Sequence, residues 1–367
     1  ARVELEAQLG LGTALSTVGG YTSPEARAAF ERAVALAENL DDSTTIFPAL
    51  WGTWTYWFVL GEHGVAAPLA DRCLRIAEDR AADIRFRWEA AAIVGYQRLY
   101  AGDFAGARAE LALAGEHAGV EPVADFPHDP GIVCRSALAV ALWFLGETEA
   151  SRQAADDSLA LAGSLDRTGQ RAALTECWVA CTLAWRAQLD GDPAAAIELA
   201  DHAEAIAVQH GFATWLAAAT LHRSIAQCSL GRLDEGLPTL AAMVDAWRTA
   251  GRDGSGRQLH PVLMTPYFAG RLAEALIARG DVDEAADWLD RLLAGGPGDG
   301  EPFWDVELLR LRATVARLRR RPPEVVRGDL DAARRLADEQ GARALSARLG
   351  TGDPAHEWPT AAAGGTP

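Results

Sequence analysis

The amino-acid sequence predicts an all-α protein, an α–α superhelix or solenoid of about eight helix–turn–helix repeats. Ala, Leu, Glu and Arg dominate its 367 residues, whereas runs of the strand-favouring residues Val, Ile and Thr are scarce. Short breaks, in which Gly precedes an acidic residue, Arg or, in the first break, Tyr, recur about every 40 to 50 residues. Large aromatic side chains lie in the helical run before every break after the first, where stacked repeats would bury them.

The breaks define the repeat. Each Gly stands where a helix C-terminus needs a residue that tolerates the left-handed conformation, and the residues after it suit the first turn of a second helix. In an eighth break, Arg321 to Glu324, Pro takes the place of Gly. The seven glycines are Gly20, Gly61, Gly102, Gly146, Gly191, Gly231 and Gly280.

A small side chain follows the Gly at a fixed distance in six repeats, as expected where the two helices of a pair approach closely. These residues are Ala66, Ala107, Ser151, Ala196, Gly236 and Ala285. Stacking of such pairs predicts one elongated core in which each repeat contacts only the next.

We expect the solenoid to cover residues 1–350. Residues 351–367, rich in Gly, Ala, Pro and Thr, are predicted to be a disordered tail. No run of about 18 uncharged apolar residues occurs, so we expect no membrane span. The N-terminal residues contain neither an apolar signal core nor an initiator Met, which favours a cytoplasmic segment of a longer protein.

The charge pattern excludes several function classes. All 34 basic residues are Arg, and without Lys there is neither a Walker A lysine nor a Schiff-base lysine. The net charge of −17 argues against nucleic-acid binding, because phosphate binding needs clustered positive charge. The arginines of residues 310–321 are interpreted mainly as a solvated surface with nucleic acid as the minor alternative.

Residues that could carry chemistry have simpler structural interpretations. Cys177 and Cys181 are spaced i, i+4 and could bind a metal with Cys134 and His128, but buried thiols are common in helical cores, so we assign no metal and no cofactor. The odd number of scattered cysteines predicts no disulfides.

Asp129 could form an acid–base pair with His128, yet Asp before Pro at a helix start favours an N-cap. No nucleophile elbow is present, and we predict that the chain is not an enzyme.

Binding candidates lie on the first helix of each pair, which forms most of the inner surface of a superhelix. Aromatic residues there could line a ligand groove, although most are expected in the core. Arginines on a concave face favour an acidic protein or an acidic small-molecule effector, held through bidentate contacts. The predicted binding residues are Arg85, Arg87, Trp88, Arg135, Arg186, His222, Arg223 and Arg271.

Five ordered segments resemble the C-terminal tetratricopeptide (TPR) region of bacterial multidomain signalling ATPases. They are Phe47–Trp54, His128–Cys134, Gly211–Ala217, Ala246–Gly251 and Phe303–Arg312. In that family the region follows a nucleotide-binding ATPase domain, which itself often follows an adenylate cyclase-like or DNA-binding domain. The resemblance implies a TPR-like arm that senses a partner or effector and restrains or releases the ATPase. No catalytic residue of the family lies in the stretch that is matched.

Two functions stay open from the sequence. The first is a regulatory TPR-like domain that binds a protein partner or an effector, with the preceding ATPase domain of the same protein as one partner. The alternative is a small-molecule-binding protein or an enzyme that uses the concave cavity of the superhelix. A closed, apolar cavity with one or two polar groups would favour the alternative, and an open solvent-lined groove the first.

Because the chain has neither Lys nor a P-loop, we predict that it does not hydrolyse ATP and does not bind Mg²⁺-ATP tightly. Isothermal titration calorimetry of the chain with Mg²⁺-ATP checks this. A micromolar dissociation constant would contradict the prediction.

Overall fold

The computed structural model describes residues 1–40, 43–81, 83–120, 122–123, 126–165, 169–249, 263–294 and 301–350, without the side chains of residues 18–19, 43–44 and 247–249. Within these ranges the chain is all-α, as predicted, and contains seventeen α-helices and a short 3₁₀ helix but no β-strand. The predicted disordered tail lies outside the described residues. So do residues 252–261 and most of 295–302, which the sequence predicts to be long linkers between helices.

Sixteen of these helices form eight successive pairs, which confirms the predicted number of repeats. The first helices are α1 (Arg2–Gly19), α3 (Ser43–Val59), α5 (Ile84–Tyr100), α7 (Pro130–Phe144), α9 (Gln170–Leu189), α11 (Ala213–Ser229), α13 (Thr265–Arg279) and α15 (Asp305–Leu318). The second helices are α2 (Pro24–Asn39), α4 (His63–Asp79), α6 (Phe104–Gly115), α8 (Thr148–Ser164), α10 (Pro193–His210), α12 (Leu233–Thr249), α14 (Val282–Leu292) and α16 (Pro323–Gln340). The last helix, α17 (Arg343–Gly350), packs against α16 and α7.

The turn inside each pair has the predicted conformation. All seven predicted glycines have a positive φ, from 72° at Gly61 to 99° at Gly280. In the second to seventh pairs, the N–H of the residue directly before the second helix donates to the carbonyl five residues back, as Glu62 N does to Trp57 O at 2.9 Å. This hydrogen bond is that of a Schellman motif, which ends one helix and aims the chain into the next.

The eighth turn reaches the same geometry without Gly. Arg320, one residue before the predicted break, takes the left-handed position with φ 52°. Arg321 N still donates to Ala316 O at 2.9 Å. Pro323 then opens α16 at its first position, where a missing N–H leaves no intrahelical hydrogen bond unmade.

The small residues after each turn are buried between paired helices, as predicted. Ala66, Ala107, Ser151, Ala196 and Ala285 are 0% exposed. At Gly236 even a Cβ atom would come within 2.3 Å of the backbone oxygen of Ser224. Paired helices therefore approach closely at this register in successive repeats.

The prediction that each repeat contacts only the next is wrong. Leu263 N donates to Val59 O at 3.2 Å, and Arg348 donates to Leu189 O at 2.6 Å. Both hydrogen bonds join repeats that are far apart in sequence. The superhelix curves enough for first helices from distant repeats to meet, so one hydrophobic core extends from Leu5 to Leu349.

No helix in the described part of the chain is both long and apolar enough to cross a membrane. The five cysteines are buried thiols, and none of them is in a disulfide.

Replacement of Ala196 by Leu should destabilise the fold. Its Cβ is completely buried against Ala187 and Ala226, so three more carbon atoms must displace neighbouring helices. We expect the free energy of unfolding to fall by about 1–3 kcal/mol in urea denaturation. Ala194→Leu, on the exposed face of the same helix, is the matched control and should change it little. An equal loss of unfolding free energy in both variants would contradict the close helix–helix contact proposed at Ala196.

Candidate ligand-binding cavity

A cavity of about 220 Å³ lies on the inner side of the superhelix. The helical residues that line it come from first helices, α3, α5, α7, α9, α11 and α13, with Tyr21, His128, Leu263 and Met264 added by the segments between helices. Its aromatic lining residues are Tyr21, Trp51, Trp54, Phe58, Tyr96, Tyr100, His128, Trp178, Trp185, Trp215, His222 and Phe268. The cavity therefore combines residues from sequence-distant repeats.

Trp178 of α9 is a central ring of this wall. Its centroid lies 4.5 Å from that of His128, 4.8 Å from that of Trp215 and 5.9 Å from that of Tyr21. The rings meet edge-on or tilted, which are favourable geometries for aromatic pairs. Residues before α2, before α7 and in α11 thus pack against one indole.

A polar network at one side of the cavity fixes His222. The amide nitrogen of Gln188 donates to the backbone oxygen of His222 at 2.7 Å, so its Oε1 faces the other way. Tyr267 Oη donates to this Oε1 at 2.6 Å, and His222 Nδ1 lies 3.1 Å from it. An amide oxygen only accepts hydrogen bonds, so the proton is on Nδ1 and the lone pair is on Nε2. Burial lowers the pKa of His222 to about 3, and its ring is therefore neutral at neutral pH.

His128, just before the N-cap residue of α7, is buried among the rings of Trp51, Phe126 and Trp178. It is 2% exposed, and burial, with Arg171 nearby, lowers its pKa to about 3. Asp129 does not form an acid–base pair with it. Its Oδ1 accepts from Ile132 N at 2.9 Å and its Oδ2 from Gly119 N at 3.2 Å, which confirms the predicted N-cap of α7.

Two thiols of the cavity wall, Cys134 and Cys181, have raised pKa values. Burial raises the pKa of Cys134, and the neighbouring Cys177 together with burial raises that of Cys181. Cys177 Sγ lies 3.4 Å from Ala203 O. Among the described residues, no three His, Cys, Asp or Glu side chains form a group that could hold a metal ion.

Of the eight predicted binding residues, His222 lines the cavity, and the other seven are not among the described lining residues. Trp88 packs edge-on against His117, with centroids 5.3 Å apart. Arg85 pairs with Asp83 at 2.6 Å at the start of α5. Arg271 contacts Glu274 at 2.8 Å and Ser229 Oγ at 3.0 Å.

The remaining arginines reach second helices or their own helix. Arg87 pairs with Glu110 of α6 at 2.9 Å, and Arg135 lies 3.8 Å from Asp157 of α8. Arg223 forms an ion pair with Glu204 of α10. Arg186 donates to Ser151 Oγ at 2.9 Å and to Asp190 at 2.8 Å. These arginines therefore join helices within and between repeats, and contact with a partner stays a prediction for them.

Sequence reasoning identified the aromatic first helices but did not assign individual rings to the cavity. Trp54, Trp178 and Trp215 were expected mainly in the core. Nothing in the sequence pointed to Tyr21, because it lies in the turn between α1 and α2 and not on a first helix. It reaches the cavity only because the superhelix curves. The spacing of aromatic residues along first helices was the available signal for the others.

Acid should destabilise the fold through His128. Its folded pKa is about 3, below the ordinary value of about 6.5, so between these values the unfolded chain binds a proton that the folded chain does not. The free energy of unfolding should therefore fall as the pH drops below about 6.5. His128→Phe keeps an aromatic ring and removes this cost, which is about 2 kcal/mol at pH 5. Urea denaturation at pH 7 and pH 5 measures it, and an equal loss in both proteins would contradict the assignment.

No protein-family model matches the chain. An uncharacterized protein of Rhizobium meliloti (strain 1021) is 25% identical over 369 residues, which cover 94% of this chain and 33% of that protein. The chain thus spans about a third of the length of this curated relative.

Solved structures of similar fold include a Rap protein complexed with Competence and Sporulation Factor. It is 16% identical, has a TM-score of 0.58, and the match covers 95% of this chain and 97% of that chain. Aspartyl phosphate phosphatase F from Bacillus subtilis is 12% identical with a TM-score of 0.45, over 95% and 92% of the two chains. The likeness to the Rap protein agrees with the helix pairs and tight turns described above, and the fold is a TPR-like helical-repeat superhelix.

Proposed function

We propose that this chain is a regulatory domain that binds an effector in its inner cavity and a protein partner on its surface, within a longer bacterial signalling or transcriptional-regulator ATPase. The observation that carries the proposal is the cavity itself, which is built from the inner faces of six first helices. A ligand in this cavity would contact many repeats at once. Its binding would therefore change the curvature that those repeats share.

Two further observations support a role inside a longer protein. The curated relative is about three times as long as the part that matches this chain. The five segments named above resemble the region that follows the ATPase in multidomain signalling proteins. The Rap protein of similar fold was solved with a bound factor, which favours a binding role for this chain as well.

The small-molecule alternative is favoured by the chemistry of the cavity. Rings and aliphatic groups dominate its wall, and the described lining residues include no Asp, Glu or Arg. Such a site binds and orients a ligand but offers no charged acid, base or nucleophile for catalysis. We therefore assign the cavity to effector binding rather than to an enzymatic reaction.

The partner surface is proposed to include Arg223. It is 31% exposed at the side chain and bridges to α10, where a partner carboxylate could share its guanidinium. Arg232 is a matched control, because it is 45% exposed and, directly before α12, pairs with Glu235 in the first turn of that helix.

To test the proposal, the chain and the flanking ATPase part of its full-length protein are produced separately and titrated by calorimetry. We expect a complex, and Arg223→Ala should weaken it about tenfold, the effect of one charge-assisted hydrogen bond, whereas Arg232→Ala should not. The melting temperature should change little in either variant, since exposed ion pairs contribute little stability. Absence of a complex, together with an ATPase rate that the chain does not change, would contradict the proposal.

A further inference from the structure

If the cavity is the effector site proposed above, the chemistry of its wall limits the class of molecule that can bind there. Its ionisable lining residues are tyrosines, histidines and cysteines. Burial keeps the pKa of His128 and His222 near 3 and raises the pKa of Tyr21, Tyr100 and Cys134. All of these groups are uncharged at neutral pH. A charged ligand would lose its hydration here without gaining an opposite charge.

Several buried polar atoms of the wall have no hydrogen-bond partner among the described residues. They are Tyr21 Oη, Trp54 Nε1, Trp185 Nε1 and His128 Nδ1. Each belongs to a residue that is at most 8% exposed and lines the cavity. Buried polar groups are nearly always hydrogen-bonded in proteins, so a ligand that supplies partners to these four atoms gains affinity from them.

His222 offers a complementary group. Gln188 and Tyr267 fix its proton on Nδ1, which leaves Nε2 as an acceptor on the other edge of the ring. The wall thus presents two indole N–H donors without an acceptor and one imidazole nitrogen that can accept a hydrogen bond.

The shape of the site favours a flat ring system. Rings of Trp51, Trp178 and Trp215 line it, and aromatic walls bind planar rings through offset and edge-to-face contacts. The volume of about 220 Å³ exceeds the roughly 150 Å³ of an apolar cavity that holds benzene. One ring or two fused rings therefore fit.

We propose that the cavity binds a neutral, flat molecule of one or two fused unsaturated rings, whose hydroxyl or N–H group donates to His222 Nε2 and whose acceptor atom receives an indole N–H of Trp54 or Trp185. This ligand class differs from the acidic effector expected from the arginines, because those arginines are paired with carboxylates outside the cavity.

Three probes with the same fused ring test the proposal on the intact chain by calorimetry. They are 2-naphthol, which is neutral with a hydroxyl, naphthalene, which has no hydrogen-bonding group, and 2-naphthoate, which is an anion. We expect 2-naphthol to bind about tenfold more tightly than either of the others, since it alone satisfies the polar atoms without carrying charge.

Two pairs of variants localise the binding. Ala218→Phe places a phenyl ring in the cavity and should abolish binding of 2-naphthol, whereas Ala205→Phe, on an exposed position of α10, should not. Trp54→Phe removes one unpartnered N–H and should weaken 2-naphthol more than naphthalene. Trp288→Phe, outside the cavity on α14, should alter neither.

Preferential binding of 2-naphthoate would overturn the inference that the ligand is neutral, although the proposed effector-binding function would stand. Failure of all three probes, or binding of 2-naphthol that Ala218→Phe leaves intact, would overturn the inference as well. The titration with the flanking ATPase part uses no small molecule, so it decides the proposed function separately.

Discussion

Each repeat depends on a close approach between two helices, which two local features make possible. A residue with a positive φ reverses the chain, and a side chain no larger than a methyl or hydroxymethyl group then lies between the helices. A larger residue at this point would push the helices apart along their whole length, because helices are rigid over several turns. Since the spacing is kept from pair to pair, the pairs stack in a regular superhelix.

Stacking of this kind assigns different environments to the two helices of a pair. First helices face inward, and those from non-adjacent repeats meet, as the stacked rings of Tyr100 on α5 and Trp185 on α9 illustrate. Each aromatic side chain of the first helices therefore lies either in the core between repeats or in the wall of the inner cavity. Trp178 lies in the cavity wall, whereas Trp304 is completely enclosed in the core.

The distribution of charge separates the inside of the molecule from its surface. The chain has a net charge of −17, yet the described residues that line the cavity carry no formal charge at neutral pH. Arginines of the first helices neutralise carboxylates of the second helices instead, as Arg87 does with Glu110 and Arg223 with Glu204. Ion pairs thus lie at the surface of the repeat, and the cavity is left to apolar contacts and a few hydrogen bonds.

The sequence by itself determined the local features of this protein. Glycine at a fixed period, a small residue five positions later and Asp129 before Pro130 depend on backbone conformation and short-range sterics, and all of them are present in the structure as predicted. The curvature of the superhelix was decided only in the tertiary structure, because it is the sum of small rotations between many pairs. That curvature brings Tyr21 and His128 against Trp178 and gathers residues of six first helices around one cavity. Contacts between residues more than a hundred positions apart leave no periodic signal in a single sequence, which is why the aromatic residues were predicted but their shared cavity was not.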